Sequence, residues 1–231
     1  MAPRRVVVLT GAGISRESGL HTFRDADGIW ASVRIEDVCT PEAFLRDPER
    51  VHAFYNARRA QLPQVSPNDA HCALARLERE FPGELLVVTQ NVDDLHERAG
   101  TRCLLHMHGE LRRVRCLTCA ATPDWDGPTG ASTPCPVCGA CTLRPDVVWF
   151  GEMPLHMERI EQALMACELF VSIGTSGTVY PAAGFVQMAS GHARTVELNL
   201  EPSHGWTRFD DSLSGPATKL VPAFVDELLG S

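Results

Sequence analysis

Residues 6–30 read VVVLTGAGISRESGLHTFRDADGIW, and the way this stretch breaks decides the fold. Val6-Val7-Val8-Leu9-Thr10 is an apolar, β-branched run of the kind that forms a buried strand. It stops at Gly11-Ala12-Gly13, where missing Cβ atoms permit a tight turn and let the backbone approach a phosphate. The usual dinucleotide fingerprint wants a third small residue three positions after the second glycine, and Arg16 stands there. A plain Rossmann dehydrogenase is therefore disfavoured. The polar loop that follows carries Thr22-Phe23-Arg24-Asp25, which sets an aromatic face, a guanidinium and a carboxylate beside a phosphate turn.

Working outward, strand-like runs recur at 85–89, 102–105, 146–148, 169–173 and 196–200, with helical stretches between many of them at 69–80, 155–167 and 180–189. That alternation predicts an α/β protein built on a Rossmann-like, mostly parallel sheet covered on both faces. Two segments break the rhythm. Residues 41–63 are helical and Arg-rich without a strand partner, and residues 112–144 are rich in Cys, Pro and Gly. Both read as insertions that form a smaller zinc-and-helix domain. The sheet domain is then discontinuous, over 1–40, 64–111 and 145–231, and a closing helix is expected at 222–229.

The 231 residues suffice for a sizeable core. A formal charge of −8 argues against nucleic acid as a partner, since phosphate binding needs a basic surface, and suits lysine-bearing protein segments. No apolar run approaches the roughly 18–20 residues of a membrane span, and no signal-peptide pattern precedes the first strand. The chain reads as cytoplasmic.

Nine cysteines need an explanation, and five of them crowd into residues 116–141. Cys116-x2-Cys119 and Cys135-x2-Cys138, with fifteen residues between them, are two knuckles of the spacing that closes a tetrahedral zinc site with a structural role. Cys141 competes as a ligand, but Cys135 keeps the two pairs matched in spacing.

Three further strand ends carry polar turns, where open α/β sheets place ligands. Thr89-Gln90-Asn91-Val92-Asp93-Asp94 offers amides and carboxylates beyond what a helix cap needs. Gly174-Thr175-Ser176 repeats the strand-then-small-residue pattern, and Asn199-Leu200-Glu201 adds a carboxylate suited to ribose hydroxyls. His108, before Gly109 at another strand end, is a candidate general base, although alone it decides nothing. On the helical insertion, Tyr55 and Arg58 stand at i and i+3 on one face, a phenol beside a guanidinium fit for a carboxylate.

Taken together, these motifs resemble the sirtuins, the NAD-dependent protein lysine deacylases. Gly11-Ala12-Gly13-Ile14-Ser15, Thr22-Phe23-Arg24-Asp25, Thr89-Gln90-Asn91-Val92-Asp93, His108-Gly109, the paired cysteine knuckles, the run Arg144-Pro145-Asp146-Val147-Val148-Trp149-Phe150-Gly151-Glu152 and Gly174-Thr175-Ser176 fall in family order over nearly the whole chain. The resemblance implies NAD consumed as a co-substrate, one structural Zn2+ and acylated-lysine proteins as substrates held between the two domains. It implies His108 as general base acting through ribose hydroxyls, with Asn91 and Asp93 catalytic. Gly11, Ala12, Gly13, Ile14, Phe23, Arg24, Asp25 and Trp30 would line the cofactor loop. Gln90, Asn91, Val92 and Asp93 would stand near the nicotinamide and its ribose; Gly174, Thr175, Ser176, Asn199, Leu200, Glu201 and Ala217 would face the phosphates and adenosine.

Tyr-x-x-Arg in that helix is similar to class III members of the bacterial type, which remove succinyl and malonyl groups as well as acetyl. Three positions depart from the pattern: His21 precedes Thr22 where the family often has Pro, Cys39 stands at the acyl-pocket wall where class III often has Ala, and Cys141 adds a fifth thiol. Two other functions fit the same residues, namely ADP-ribosyl transfer to a protein and a non-catalytic NAD- and zinc-binding module.

Overall fold

The computed structural model describes residues 3–20 and 34–230. Phe23, Arg24, Asp25 and Trp30, like His21 and Thr22, lie outside the described residues. The strands are β1 (Arg5–Thr10), β2 (Glu84–Thr89), β3 (Leu104–His106), β4 (Gly109–Cys116), β5 (Leu143–Val147), β6 (Leu169–Ile173), β7 (Arg194–Asn199) and β8 (Asp211–Ser214). The helices are α1 (Ala12–Arg16), α2 (Pro41–Arg46), α3 (Pro48–Arg59), α4 (Asp69–Glu80), α5 (Leu95–Ala99), α6 (Met157–Ala166), α7 (Phe185–Ala189) and α8 (Ala217–Leu229).

Six strands form one sheet in the order β3-β2-β1-β6-β7-β8, and every pairing among them is parallel. The chain runs outward from β1 in one direction, then returns to β6 and runs outward in the other. The order therefore reverses between β1 and β6, and a crevice opens at their carboxyl ends, where doubly wound sheets bind ligands.

Strand periodicity sorts the side chains onto the two faces. Val6, Val8, Leu85 and Val87 pack with Leu74 and Leu77 of α4 and Val221 and Val225 of α8. On the other face, Val7, Leu9 and Val88 meet Ile160 and Leu164 of α6 and Phe185 and Val186 of α7. In α4 the buried Ala70, Ala73, Leu74 and Leu77 recur at helical spacing, and the Asn68 side chain caps the helix by accepting from the Ala70 and His71 amides.

Two further cores lie away from the six-stranded sheet. Val38, Cys39, Val51, Phe54, Tyr55, Leu111 and Trp149 form one, and Val114, Cys116, Cys135 and Leu143 form another beneath the knuckles. The helical insertion is two helices, because Pro48 cannot continue α2; Asp47 caps α3 instead, and Pro48 takes its first turn.

The structure corrects several boundaries. The run 146–148 is not a strand of the parallel sheet: β5 ends at Val147 and pairs antiparallel with β4 in a separate two-stranded ribbon. The run 102–105 becomes β3 over Leu104–His106, and 180–189 resolves into a 3-10 turn, Ala182–Gly184, followed by α7. The closing helix begins at Ala217 and carries Pro222 inside it. Neither α1 nor β8 is expected from sequence pattern. Among the described residues no helix is long and apolar enough to cross a membrane.

Candidate active site

The turns after β1 and β6 touch directly. Gly11 and Gly13 donate their amides to the carbonyls of Ile173 and Gly174, each at 2.9 Å. A Cβ on Gly13 would stand 2.7 Å from the Gly174 Cα, and one on Gly174, whose φ is +62°, would stand 2.5 Å from the Ile14 nitrogen. These glycines are required first for two backbones to meet at the crevice. Ile14 is fully buried in the sheet core, so its side chain does not line the crevice as expected; the one-turn helix α1 rotates it inward.

A cleft opens here, lined by Leu9, Gln90, Ser172, Thr175, Gly177 and Ser203 among others. The Thr175 hydroxyl turns inward to Ser172, 2.9 Å away, which leaves the backbone of that turn as its ligand-facing part. Asn199 donates its side-chain amide to the Thr175 carbonyl at 2.7 Å and so ties the β6 and β7 turns together. Ser176 is partly buried and pairs with the Thr178 hydroxyl at 2.8 Å, and Ala217 opens α8 nearby. Leu200 and Glu201 sit on an exposed turn, and the cleft wall at that end is made by Ser203 and Gly205, which sequence pattern does not single out.

The loop after β2 is pinned peptide by peptide. The Gln90 amide donates to the Thr10 carbonyl at 2.9 Å, and the Asn91 amide donates to the Thr89 hydroxyl at 3.0 Å. The Asn91 side-chain NH2 spends both hydrogens, on the Gly11 carbonyl and the Ser15 hydroxyl, each at 3.1 Å. Only its Oδ1 remains to face a ligand. Val92 is partly buried, and its carbonyl accepts from the Leu111 amide at 2.8 Å. Asp93 is buried and accepts from the Leu95 amide at 3.1 Å; burial pushes its carboxyl above the ordinary range, against the pull of that amide and of the Ser15 hydroxyl.

His108 follows β3 and faces this loop. Its Nδ1 lies 3.0 Å from the Gln90 carbonyl, which can only accept, so Nδ1 carries the proton and Nε2 keeps its lone pair. Burial lowers its pKa below the ordinary value, and the neutral imidazole is the favoured form. Gly109 is obligatory next to it: a Cβ there would stand 2.1 Å from the Asp146 carbonyl oxygen.

On α3, Tyr55 is buried and its hydroxyl accepts from Trp149 Nε1 at 3.0 Å, with Cys39 Sγ 3.4 Å away. Burial raises both the Tyr55 and the Cys39 pKa, so both groups are protonated. Arg58 is partly buried; desolvation lowers its pKa, opposed by the nearby Tyr55, Cys39 and Asp93. The phenol, the thiol and the guanidinium thus gather at the edge of the Asn91–Asp93 loop.

Trp149 is set from behind by Arg144, whose guanidinium lies 3.4 Å from the Trp149 ring centroid and is held by Glu152 through contacts of 2.6 and 2.9 Å. Only the fold reveals this brace; its residues appear in the sequence merely as parts of one motif.

Below the ribbon, Cys116, Cys119, Cys135 and Cys138 gather their sulfurs within 4.8 Å of one another. Cys116 and Cys138 are 3.6 Å apart, and Cys119 and Cys135 are 3.8 Å apart. Four thiolates at about 2.3 Å from one zinc ion stand roughly 3.8 Å apart, so the set fits a tetrahedral zinc. None of the nine cysteines forms a disulfide. Cys141 points away and donates to the Ser132 carbonyl at 3.3 Å.

Comparison with known proteins agrees with this geometry. A family profile described as Sir2 family matches residues 11–181. An NAD-dependent protein deacylase of Escherichia coli strain K12 is 56% identical, over 99% of this chain and 84% of that protein. One from Shewanella oneidensis is 58% identical, over 98% and 95%. A Sir2 homologue solved as an NAD complex superposes with a TM-score of 0.90 at 38% identity, covering 98% of this chain and 90% of the other. A Sir2 variant solved with a deacetylated peptide and 3'-O-acetyl ADP ribose gives 0.85 at 27% identity, covering 97% and 94%. The chain belongs to the Sir2 family.

Proposed function

We propose that the protein is an NAD-dependent protein-lysine deacylase that removes acetyl, succinyl and malonyl groups. The observation that carries the reading is His108, its neutral form favoured and its Nε2 without a partner among the described residues, beside a loop that presents Asn91 Oδ1 and the Asp93 carboxyl group. Relatives more than half identical over nearly the full chain are named NAD-dependent protein deacylases, which supports the same activity here.

NAD supplies the ribosyl carbon that exchanges nicotinamide for the acyl oxygen; water completes the balance, and free lysine, nicotinamide and 2'-O-acyl-ADP-ribose leave. His108 Nε2 takes a proton from a ribose hydroxyl, and the Gln90 carbonyl keeps the ring in the tautomer that can do so. Asn91 and Asp93 orient the reacting ribose, while the meeting turns of Gly11–Gly13 and Gly174–Ser176 receive the phosphates. Tyr55 and Arg58 read an acyl carboxylate: Trp149 donates to the phenol oxygen, and with Cys39 as the donor in its contact with Tyr55 the phenol hydrogen turns to the acyl group. Cys39 narrows the pocket beside them.

We assign the sheet domain to 1–40, 64–111 and 145–231, with 41–63 and 112–144 forming the smaller domain, and one structural Zn2+ to the four gathered cysteines. A closed four-thiolate site leaves no position for water, so the metal holds the knuckles and takes no part in the reaction.

Incubation with NAD and an acetyl-lysine peptide tests the reading. Nicotinamide, deacylated peptide and acyl-ADP-ribose are expected in equal amounts by mass; a mass gain on a protein target without deacylation would assign ADP-ribosyl transfer instead.

A further inference from the structure

His106 ends β3 and His108 stands two residues on, in the turn that follows. Their Nδ1 atoms face consecutive carbonyls, those of Asn91 and Gln90, each at 3.0 Å. His108 Nε2 has no hydrogen-bond partner among the described residues. His106 instead points Nε2 at Glu97 Oε1, 2.6 Å away. Its Nδ1 already carries a proton for the Asn91 carbonyl, so two lone pairs would collide at that distance unless a second proton lies between them. His106 is 8% exposed and its ring sits between a backbone carbonyl and a carboxylate, an arrangement that favours the imidazolium.

We propose that His106, held between Glu97 and the Asn91 carbonyl, is a positioning residue that acts through that carbonyl to fix the loop carrying Gln90, Asn91 and Asp93. The inference rests on the reading of that loop as the NAD-binding loop. Thr10, Thr89, Gly11, Ser15 and Leu111 hold other groups of the loop, His108 faces the Gln90 carbonyl and the Leu95 amide donates to Asp93, while the Asn91 carbonyl accepts from His106. A hydrogen bond from a charged donor is about twice as strong as a neutral one, so this pin weakens when the ring loses its proton.

The charges around the ring favour its charged form. Burial depresses the His106 pKa, but the Glu97 hydrogen bond and charge outweigh it, with Glu110 of β4 adding in the same sense, and the net shift is upward. Glu110 itself pairs with Arg113 at 3.5 Å. Asp93 lies close enough for its carboxylate to be favoured by the imidazolium. His96 of α5 is neutral, because burial pushes its pKa far down, so it does not compete for the proton.

The test compares Glu97→Gln, His106→Gln and His106→Phe by nicotinamide release across pH, with Asn91→Ala as reference and thermal unfolding measured on each. His106→Phe is expected to raise KM for NAD roughly 10- to 100-fold, the loss of a charged hydrogen bond. His106→Gln, which can still donate to the carbonyl, should recover part of that loss. Glu97→Gln removes the group that raises the pKa. It should match the parent at acid pH and fail on the alkaline side, with its basic limb moved to lower pH. A parental pH profile in Glu97→Gln overturns the proposal, as does normal KM in His106→Phe while Asn91→Ala is impaired. Normal KM in Asn91→Ala would instead refute the reading of the loop. If His106→Phe does not fold, the Glu97→Gln profile decides alone.

Discussion

The imidazole of His108 and the carbonyl of Gln90 are 3.0 Å apart, and this contact joins the end of β3 to the loop after β2. Because the carbonyl has no hydrogen to give, it decides which nitrogen of the ring is basic. Nε2 becomes the base by elimination, and burial keeps it unprotonated at pH values where an exposed histidine would already be charged.

His108→Ala should therefore lower turnover by roughly 10²- to 10⁴-fold, the usual contribution of a positioned base, while leaving the unfolding temperature unchanged. In the parent, the acid limb of kcat/KM should titrate below the ordinary histidine value of about 6.5. Nicotinamide release between pH 5 and 9 measures both; a fully active His108→Ala enzyme would refute the mechanism.

Arg58→Met should damage desuccinylation selectively. Losing one partner of a desolvated charge pair costs roughly 2–5 kcal/mol, about 30- to several-thousand-fold in kcat/KM if expressed in the transition state. Deacetylation, with no acyl carboxylate to read, should change far less. Equal losses on paired acetyl and succinyl peptides would make Arg58 structural.

Gly174→Ala should impair both stability and NAD binding. The new methyl would sit 2.5 Å from the Ile14 nitrogen on a backbone with φ of +62°, so the β1 and β6 turns must part. A loss of roughly 1–3 kcal/mol is expected from denaturant unfolding, with weaker NAD binding by calorimetry. Parental values in both would show that the turns tolerate separation.

Replacing Cys119 by Ser, or stripping metal with a chelator, should release zinc and loosen the small core of Val114, Cys135 and Leu143. Metal analysis and thermal unfolding should move together. A zinc-free protein with the parental unfolding temperature and activity would contradict the structural role.

Acid should destabilise the fold through His71. Burial drives its pKa down to about 4 from about 6.5 unfolded, so between those values the unfolded chain binds the extra proton. Its contribution is fully present above pH 6.5 and lost as pH falls towards 4. His71→Gln should flatten the stability profile in that window, and an unchanged slope would assign the acid sensitivity elsewhere.

Much of this architecture is legible in the sequence, for physical reasons. Val6–Thr10 ending in Gly11 marks the central strand, because a β-branched run followed by residues without Cβ has few other readings. The cysteine knuckles declare themselves by spacing alone. The pairing of β5 does not: Val147 and Val148 look like any buried strand, and nothing local says that the partner is β4 rather than the main sheet. What the sequence hides is where the side chains go: α1 turns that of Ile14 into the core, and the Thr175 hydroxyl turns inward to Ser172. The start of α8 is hidden because Pro222 looks like a first-turn residue, although its fixed φ is compatible with a helix already under way. His106 carries no signal in isolation; its role exists only once the fold sets Asn91 on one side of the ring and Glu97 on the other.

The central claim is NAD-dependent deacylation with Tyr55 and Arg58 reading the acyl group. One peptide carrying either acetyl-lysine or succinyl-lysine, incubated with and without NAD and scored by mass, tests it most directly. The account predicts loss of both groups only when NAD is present, with nicotinamide released in equal amount. Loss of acetyl alone would contradict the carboxylate reader, and no NAD-dependent loss of either group would contradict the proposed activity itself.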